Sequence, residues 1–106
     1  MSDRELLELA AKAAGVELTD ADRAAWLNKS SYGWNPLDDD GDALRLAVKL
    51  GLDLELHGCN STHPYAVAFD CNRNIAEEEQ PDNGDPYAAT RRAIVRAAAE
   101  IGRNMT

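Results

Sequence analysis

The chain is short of cysteine, aromatic side chains, positive charge and long apolar runs, and each shortage closes off a class of protein. Two cysteines, Cys59 and Cys71, are too few for the disulfide framework of a secreted chain of 106 residues, so free thiols in a cytoplasmic setting are expected. No stretch approaches about 18 consecutive apolar residues, so no membrane span is expected, and the polar start Ser2-Asp3-Arg4-Glu5 does not read as a signal peptide. Eleven Lys and Arg stand against nineteen Asp and Glu, a net charge of -8 with a pI near 4.6. Direct nucleic-acid binding needs clustered positive charge, and the basic residues here are scattered apart from Arg91, Arg92 and Arg96, so none is expected. Acidity favours solubility or a basic protein partner.

What is plentiful is alanine, 18 of 106 residues, against six aromatics. A single domain over residues 1–106 with a thin core, closely approached by backbone, follows from that balance. Helices are well punctuated. Ser2 with Glu5 forms a capping box before Leu6, Leu7, Ala10, Ala13 and Ala14, and Gly15 ends that helix. Thr19-Asp20-Ala21-Asp22 can cap a shorter helix reaching Trp26. Residues 28–37 read as a loop carrying Tyr32 and Trp34. After the acidic turn at 38–42, Ala43 to Leu50 has so wide an apolar arc that the helix is expected to be sandwiched, with Gly51 as its stop.

Leu52, Leu54 and Leu56 alternate with Asp53, Glu55 and His57, and Tyr65, Val67 and Phe69 alternate with Ala66, Ala68 and Asp70. That period of two predicts an antiparallel hairpin, with a short third strand around Ile75. Glu77-Glu78-Glu79-Gln80-Pro81 reads as a solvated linker. The last helix is the best specified, with Asp85 as N-cap, Pro86 at its first position, and a run to Ile101 before a stop at Gly102. Tyr87, Ile94, Ala98 and Ile101 define its buried side, and Arg91 projects into the same stripe while Arg92 and Arg96 face away.

Several constellations have to be weighed. Setting Gly41 at position six of a calcium loop puts Pro36 at position one and Ala47 at position twelve, so the EF-hand pattern fails; Asp40 or Asp42 as a helix cap is the simpler account. His57, Cys59, His63 and Cys71 are metal-competent, but their spacing matches no zinc motif and nothing orients a histidine for thiol catalysis. Phosphate-loop, dinucleotide, serine-elbow and zinc-protease motifs are absent. No cofactor, metal or reaction is expected.

Arg91 remains, beside two glycine-centred turns, Asp40-Gly41-Asp42 and Asn83-Gly84-Asp85, that each launch a helix. A buried guanidinium requires a partner, which leaves two accounts. In one, Arg91 and exposed helix N-terminal amides hold an anion, with Tyr32, Trp34, Asn35 and Tyr87 around a nucleotide-like ligand. In the other, Arg91 makes an internal ion pair with Asp40, Asp42 or Asp85.

Three blocks, Trp34-Asn35-Pro36-Leu37, Asp39 to Leu50 and Asp85 to Gly102, resemble the bacteriophage proteins of the phage ABA-sandwich domain, themselves similar to the NinX family of phage accessory proteins. The Met1 to Gly15 opening fits the same pattern, whereas segments 17–31 and 57–80 depart from it, so their cysteines and histidines inherit no role. The resemblance implies an α+β fold, a three-layer helix/sheet/helix sandwich with a small, mainly antiparallel sheet, in a phage protein working in the host bacterial cytoplasm. It implies no reaction. By analogy with small phage proteins, the expectation is a non-catalytic accessory protein that sequesters a small anionic or nucleotide-like molecule, such as a host defence signal, and that forms homo-oligomers. The alternative is an acidic module that inhibits a host nucleic-acid-binding protein.

Overall fold

In a computed structural model of the chain, which describes residues 2–28, 33–57, 65–80 and 85–105 and only the backbone of His57, the first helix, α1 (Asp3–Ala14), starts from Ser2. The Ser2 hydroxyl accepts from the Glu5 N–H, and Gly15 closes the helix in the left-handed region. Helix α2 (Asp20–Leu27) has a complete capping box: Thr19 accepts from the Asp22 N–H while Asp22 accepts from the Thr19 N–H. Helix α3 (Asp40–Leu50) begins three residues earlier than the apolar pattern suggests. Its cap is Asp39, which accepts from the Asp42 N–H at 2.7 Å, and neither Asp40 nor Asp42 takes that role.

The strands β1 (Asp53–His57), β2 (Tyr65–Asp70) and β3 (Ile75–Glu79) form one antiparallel sheet in the order β1-β2-β3. Leu54 faces Ala68 and Leu56 faces Ala66, so the leucines of β1 share the buried alanine face of β2. Glu77 and Glu79 are not linker residues. They pair with Ala68 and Ala66 within β3 and present their carboxylates to Arg96 and Arg92 of the last helix, α4 (Pro86–Arg103). A row of carboxylates that looks solvated in one dimension is an ion-pair ladder once the helix lies across it.

The class is α+β with a small antiparallel sheet, as expected. Within it the contacts put α4 in the central layer: it packs on β2 and β3 with one side and receives α1 and α3 on the others. Hence α4 buries residues nearly all round, among them Ala89, Ala93, Ile94, Val95, Ala97, Ala98, Ala99 and Ile101. Small side chains permit the close approach. Gly102 is no stop but an interior position of α4, which runs on to Arg103 and is capped by Asn104; a Cβ at Gly102 would lie 2.0 Å from the Leu9 carbonyl oxygen of α1. Charged side chains then tie the periphery, Arg23 to Glu8 at 2.7 Å between α2 and α1 and Arg92 to Asp3 at 3.0 Å between α4 and α1. No helix among the described residues is long and apolar enough to cross a membrane.

Gly102→Ala should drive α1 and α4 apart and lower unfolding stability by about 1–3 kcal/mol, read from a urea denaturation midpoint. The carboxyls of Glu8, Asp22 and Asp70 are held below their ordinary range, by a hydrogen bond from Arg23, by the Thr19 N–H, and by a hydrogen bond from Arg73 respectively. Such groups stay ionised in the fold at acidities where the unfolded chain is already protonated. Their stabilisation is therefore whole above about pH 4 and is lost as pH falls through the lowered values. Melting temperature should drop below pH 4, and Asp22→Asn and Asp70→Asn should each make the acid limb shallower.

Candidate ligand-binding groove

Asn35 organises the turn that precedes α3. Its carbonyl accepts from the N–H groups of Asp38 and Asp39, its side-chain oxygen accepts from the Leu37 N–H at 3.1 Å, and its own N–H donates to Asp42 at 3.0 Å. Asp42 is in turn paired with Arg45 at 2.8 Å. These local bonds consume the turn's polar groups and leave the Leu37 carbonyl aimed at α4. Arg91 takes it: Nε donates to Leu37 O at 2.7 Å and Nη1 donates to Asp40 Oδ1 at 2.6 Å. The Arg91 side chain is 16% exposed and Asp40 is 68% exposed, so a sheltered guanidinium is paired with a carboxylate at the water boundary.

The Arg91 side chain turns to the side the helical stripe predicts and is half-buried there, and the partner is the internal one, Asp40. Asp42 and Asp85 do not share it. Asp85 instead caps α4, accepting from the N–H groups of Tyr87 and Ala88 at 3.0 and 3.2 Å. Asp39 does the same for α3. Both helix N-termini expected to offer free amides to an anion are thus occupied by the chain's own carboxylates. Trp34 is also elsewhere: it packs against the core, its N–H donates to Asp22 at 3.0 Å, and its carbonyl accepts from the Trp26 indole at 2.8 Å. Gly33, at φ +85, lets Asp22 approach so closely that a Cβ there would lie 2.7 Å from its oxygen. Tyr32 lies outside the described residues.

Beside the Arg91–Asp40 pair the fold leaves a cavity of about 510 Å³ between the first half of α3, β1, the start of β2 and the first turns of α4. The chain turns tightly from α3 into β1 at Gly51 and Leu52, and of α3 only the opening turns, at Asp40, Ala43 and Leu44, line the cavity. Ile94, Ala43, Ala66 and Ala89 make a buried floor. Leu44, Leu56 and Tyr87, at 58%, 61% and 68% exposure, make the walls, with Leu54 between them. Tyr87 is therefore not a core residue, and α3 is not sandwiched, since Leu44 and Val48 face outward.

Of the residues read from the sequence as a binding site, the structure brings Asp40, Tyr87 and Arg91 to the groove. Asn35, Asp42 and Asp85 hold turns and caps, and Trp34 supports the core. The sequence reading missed Leu44, Leu54, Leu56 and Ile94. One signal was available for the first of these: α3 has a wider apolar arc than its one extensive neighbour can cover. Among the described residues there is no group of three or more His, Cys, Asp and Glu able to hold a metal; Cys71 is an exposed free thiol, and Cys59, His63 and the His57 side chain lie outside them. No protein-family model, no curated protein and no solved structure matches the chain, so the class is defined by the geometry: an α+β fold with an apolar groove that has an ion pair at one corner.

Arg91→Ala removes a charge-assisted bond to a part-buried carbonyl as well as the ion pair, and should cost about 1.5–3 kcal/mol of stability. Asp40→Ala removes only an exposed partner and should cost under about 1 kcal/mol, both read from urea denaturation at neutral pH.

Proposed function

We propose that the chain is a non-catalytic binding protein that captures a small, largely apolar molecule in the groove between α3, β1 and α4. The observation that carries this reading is the groove itself: three large side chains, Leu44, Leu56 and Tyr87, stay exposed around a buried floor instead of closing over it. A folded chain gains nothing from leaving such a wall open to water, and a concave apolar surface with few polar groups is the usual form of a small-molecule site. Capture without turnover fits the groove's chemistry, because its two charged groups, Asp40 and Arg91, bind each other.

Of the two ligand descriptions suggested by the sequence, the nucleotide-like one is favoured over a simple anion. Asp40 cancels the charge of Arg91, and Asp39 and Asp85 hold the helix amides, so a phosphate would meet little positive potential. A flat heterocycle would meet leucine and tyrosine walls. In a phage setting, which the sequence resemblance implies, the use of such a groove is stoichiometric sequestration of a host signalling molecule. The reading of the protein as an acidic mimic has less support: many carboxylates are engaged at home, Glu8 with Arg23, Asp42 with Arg45, Asp70 with Arg73, and Glu77 and Glu79 with Arg96.

The test is a thermal-shift screen of the purified chain against free nucleobases, nucleosides, nucleotides and aromatic carboxylates. A ligand at tenfold its Kd adds about 1.4 kcal/mol, a rise of several degrees in a chain of this size. Leu56→Glu, at an exposed position, should abolish the shift while changing the unliganded stability by no more than about 0.5 kcal/mol. No shift with any compound, or an equal shift in the variant, would remove the groove as the site.

A further inference from the structure

We propose that the outer face of the sheet docks a cationic amphipathic helix of another protein. This surface lies away from the groove and does not depend on the groove holding a ligand. Its mark is an inversion in β2. The small residues of that strand, Ala66 and Ala68, are buried in the core against α4, while the larger Val67 and Phe69 alternate to the opposite face and sit outside that core, half-buried. Among the described residues α4 is the only helix packed extensively on the sheet, and it lies on the alanine side. An antiparallel sheet with one uncovered face ordinarily turns polar residues to it. Here the central strand is apolar on both faces.

The strand register shows what borders those side chains. Val67 stands between Glu55 on β1 and Glu78 on β3, and Phe69 stands between Asp53 and Ala76. Asp53, Glu55 and Glu78 are exposed, and none of the three strands contains a lysine or arginine. A second copy of the chain would set carboxylates against carboxylates across such a face, and a nucleic acid or an anionic lipid surface would meet the same repulsion. A helix whose apolar stripe is flanked on both sides by Lys or Arg is complementary in shape as well as charge. Glu55 and Glu78 are two strand spacings apart, about 10 Å, which is the breadth of a helix. Laid along β2, such a helix rests its stripe on Val67 and Phe69 and holds one row of cations over each acidic border.

The experiment is a fluorescence-anisotropy titration of the full chain with a labelled synthetic peptide of about 18 residues, long enough to be helical in water, carrying a leucine stripe between two rows of lysine. A peptide of the same composition, scrambled so that its leucines no longer share a face, is the first control, and one with glutamate in place of lysine is the second. The amphipathic peptide should bind at least about tenfold more tightly than the scrambled one, more weakly as salt rises, and the glutamate version should not bind. Val67→Thr should weaken binding at least about threefold through lost apolar contact. Glu78→Gln should weaken it by a similar factor, whereas Glu17→Gln, the same loss of charge at an exposed position elsewhere, should leave it nearly unchanged. Because Glu78 is exposed, that comparison holds even should Val67→Thr fail to fold. Equal binding of the amphipathic and scrambled peptides, or equal effects of Glu17→Gln and Glu78→Gln, would reduce the attraction to net charge and overturn the proposal. So would a self-associated chain that Val67→Thr returns to monomers, which makes a second copy the occupant, or binding to anionic vesicles that Val67→Thr abolishes. None of these results bears on the groove, which Leu56→Glu tests separately.

Discussion

The close approach that α4 makes to its neighbours governs the rest of the molecule. Alanine and glycine on nearly every side of that helix allow α1 to approach it backbone to backbone at Gly102 and Leu9, and allow the alanine face of β2 to lie against it. Close packing of this kind buries much backbone and little side-chain volume. The floor of the cavity is made of small residues, Ala43, Ala66 and Ala89 beside Ile94, and the larger Leu44, Leu56 and Tyr87 stand exposed around it without filling it. The groove is thus a consequence of how the core is made.

Charge is distributed to suit that arrangement. Arginines of α4 reach outward from the central layer to carboxylates on three other parts of the chain, Arg92 to Asp3 on α1, Arg96 to Glu77 and Glu79 on β3, and Arg91 to Asp40 on α3. Half-exposed pairs such as the first two contribute little each, and their value lies in fixing the angle at which helix and sheet meet. Arg91 differs in being sheltered and in holding a backbone carbonyl as well. Through it the turn made by Asn35 is anchored to the terminal helix, which places Asp40 at the mouth of the groove.

Much of this was legible along the chain. Local chemistry announced three of the four helix starts, with Ser2, Thr19 and Asp85 in their capping roles and Asp39 missed, and the alternation of leucine with polar residues in 52–57 announced a strand. The inward turn of Arg91 followed from a hundred degrees per residue. Errors came where a local pattern has two tertiary outcomes. Glycine near a helix end is a stop or a point of contact, and only the position of Leu9 makes Gly102 the second. A run of glutamates is a linker or an edge strand, and only the arginines above β3 distinguish them. Trp34, expected to stack on a ligand, is drawn to the core by bonds to Asp22 and Trp26 that span residues 22 to 34.

By itself, then, the sequence determined most of the elements and the caps Ser2, Thr19 and Asp85, because caps and periodicity act within a few residues of where they stand. It also determined that one arginine must turn inward and find a counter-charge. Which carboxylate answers it, which apolar side chains are covered and which are left to wall a groove were decided only in three dimensions. Those outcomes depend on the distance between elements far apart in the chain, and that distance is set by how small the side chains between them are.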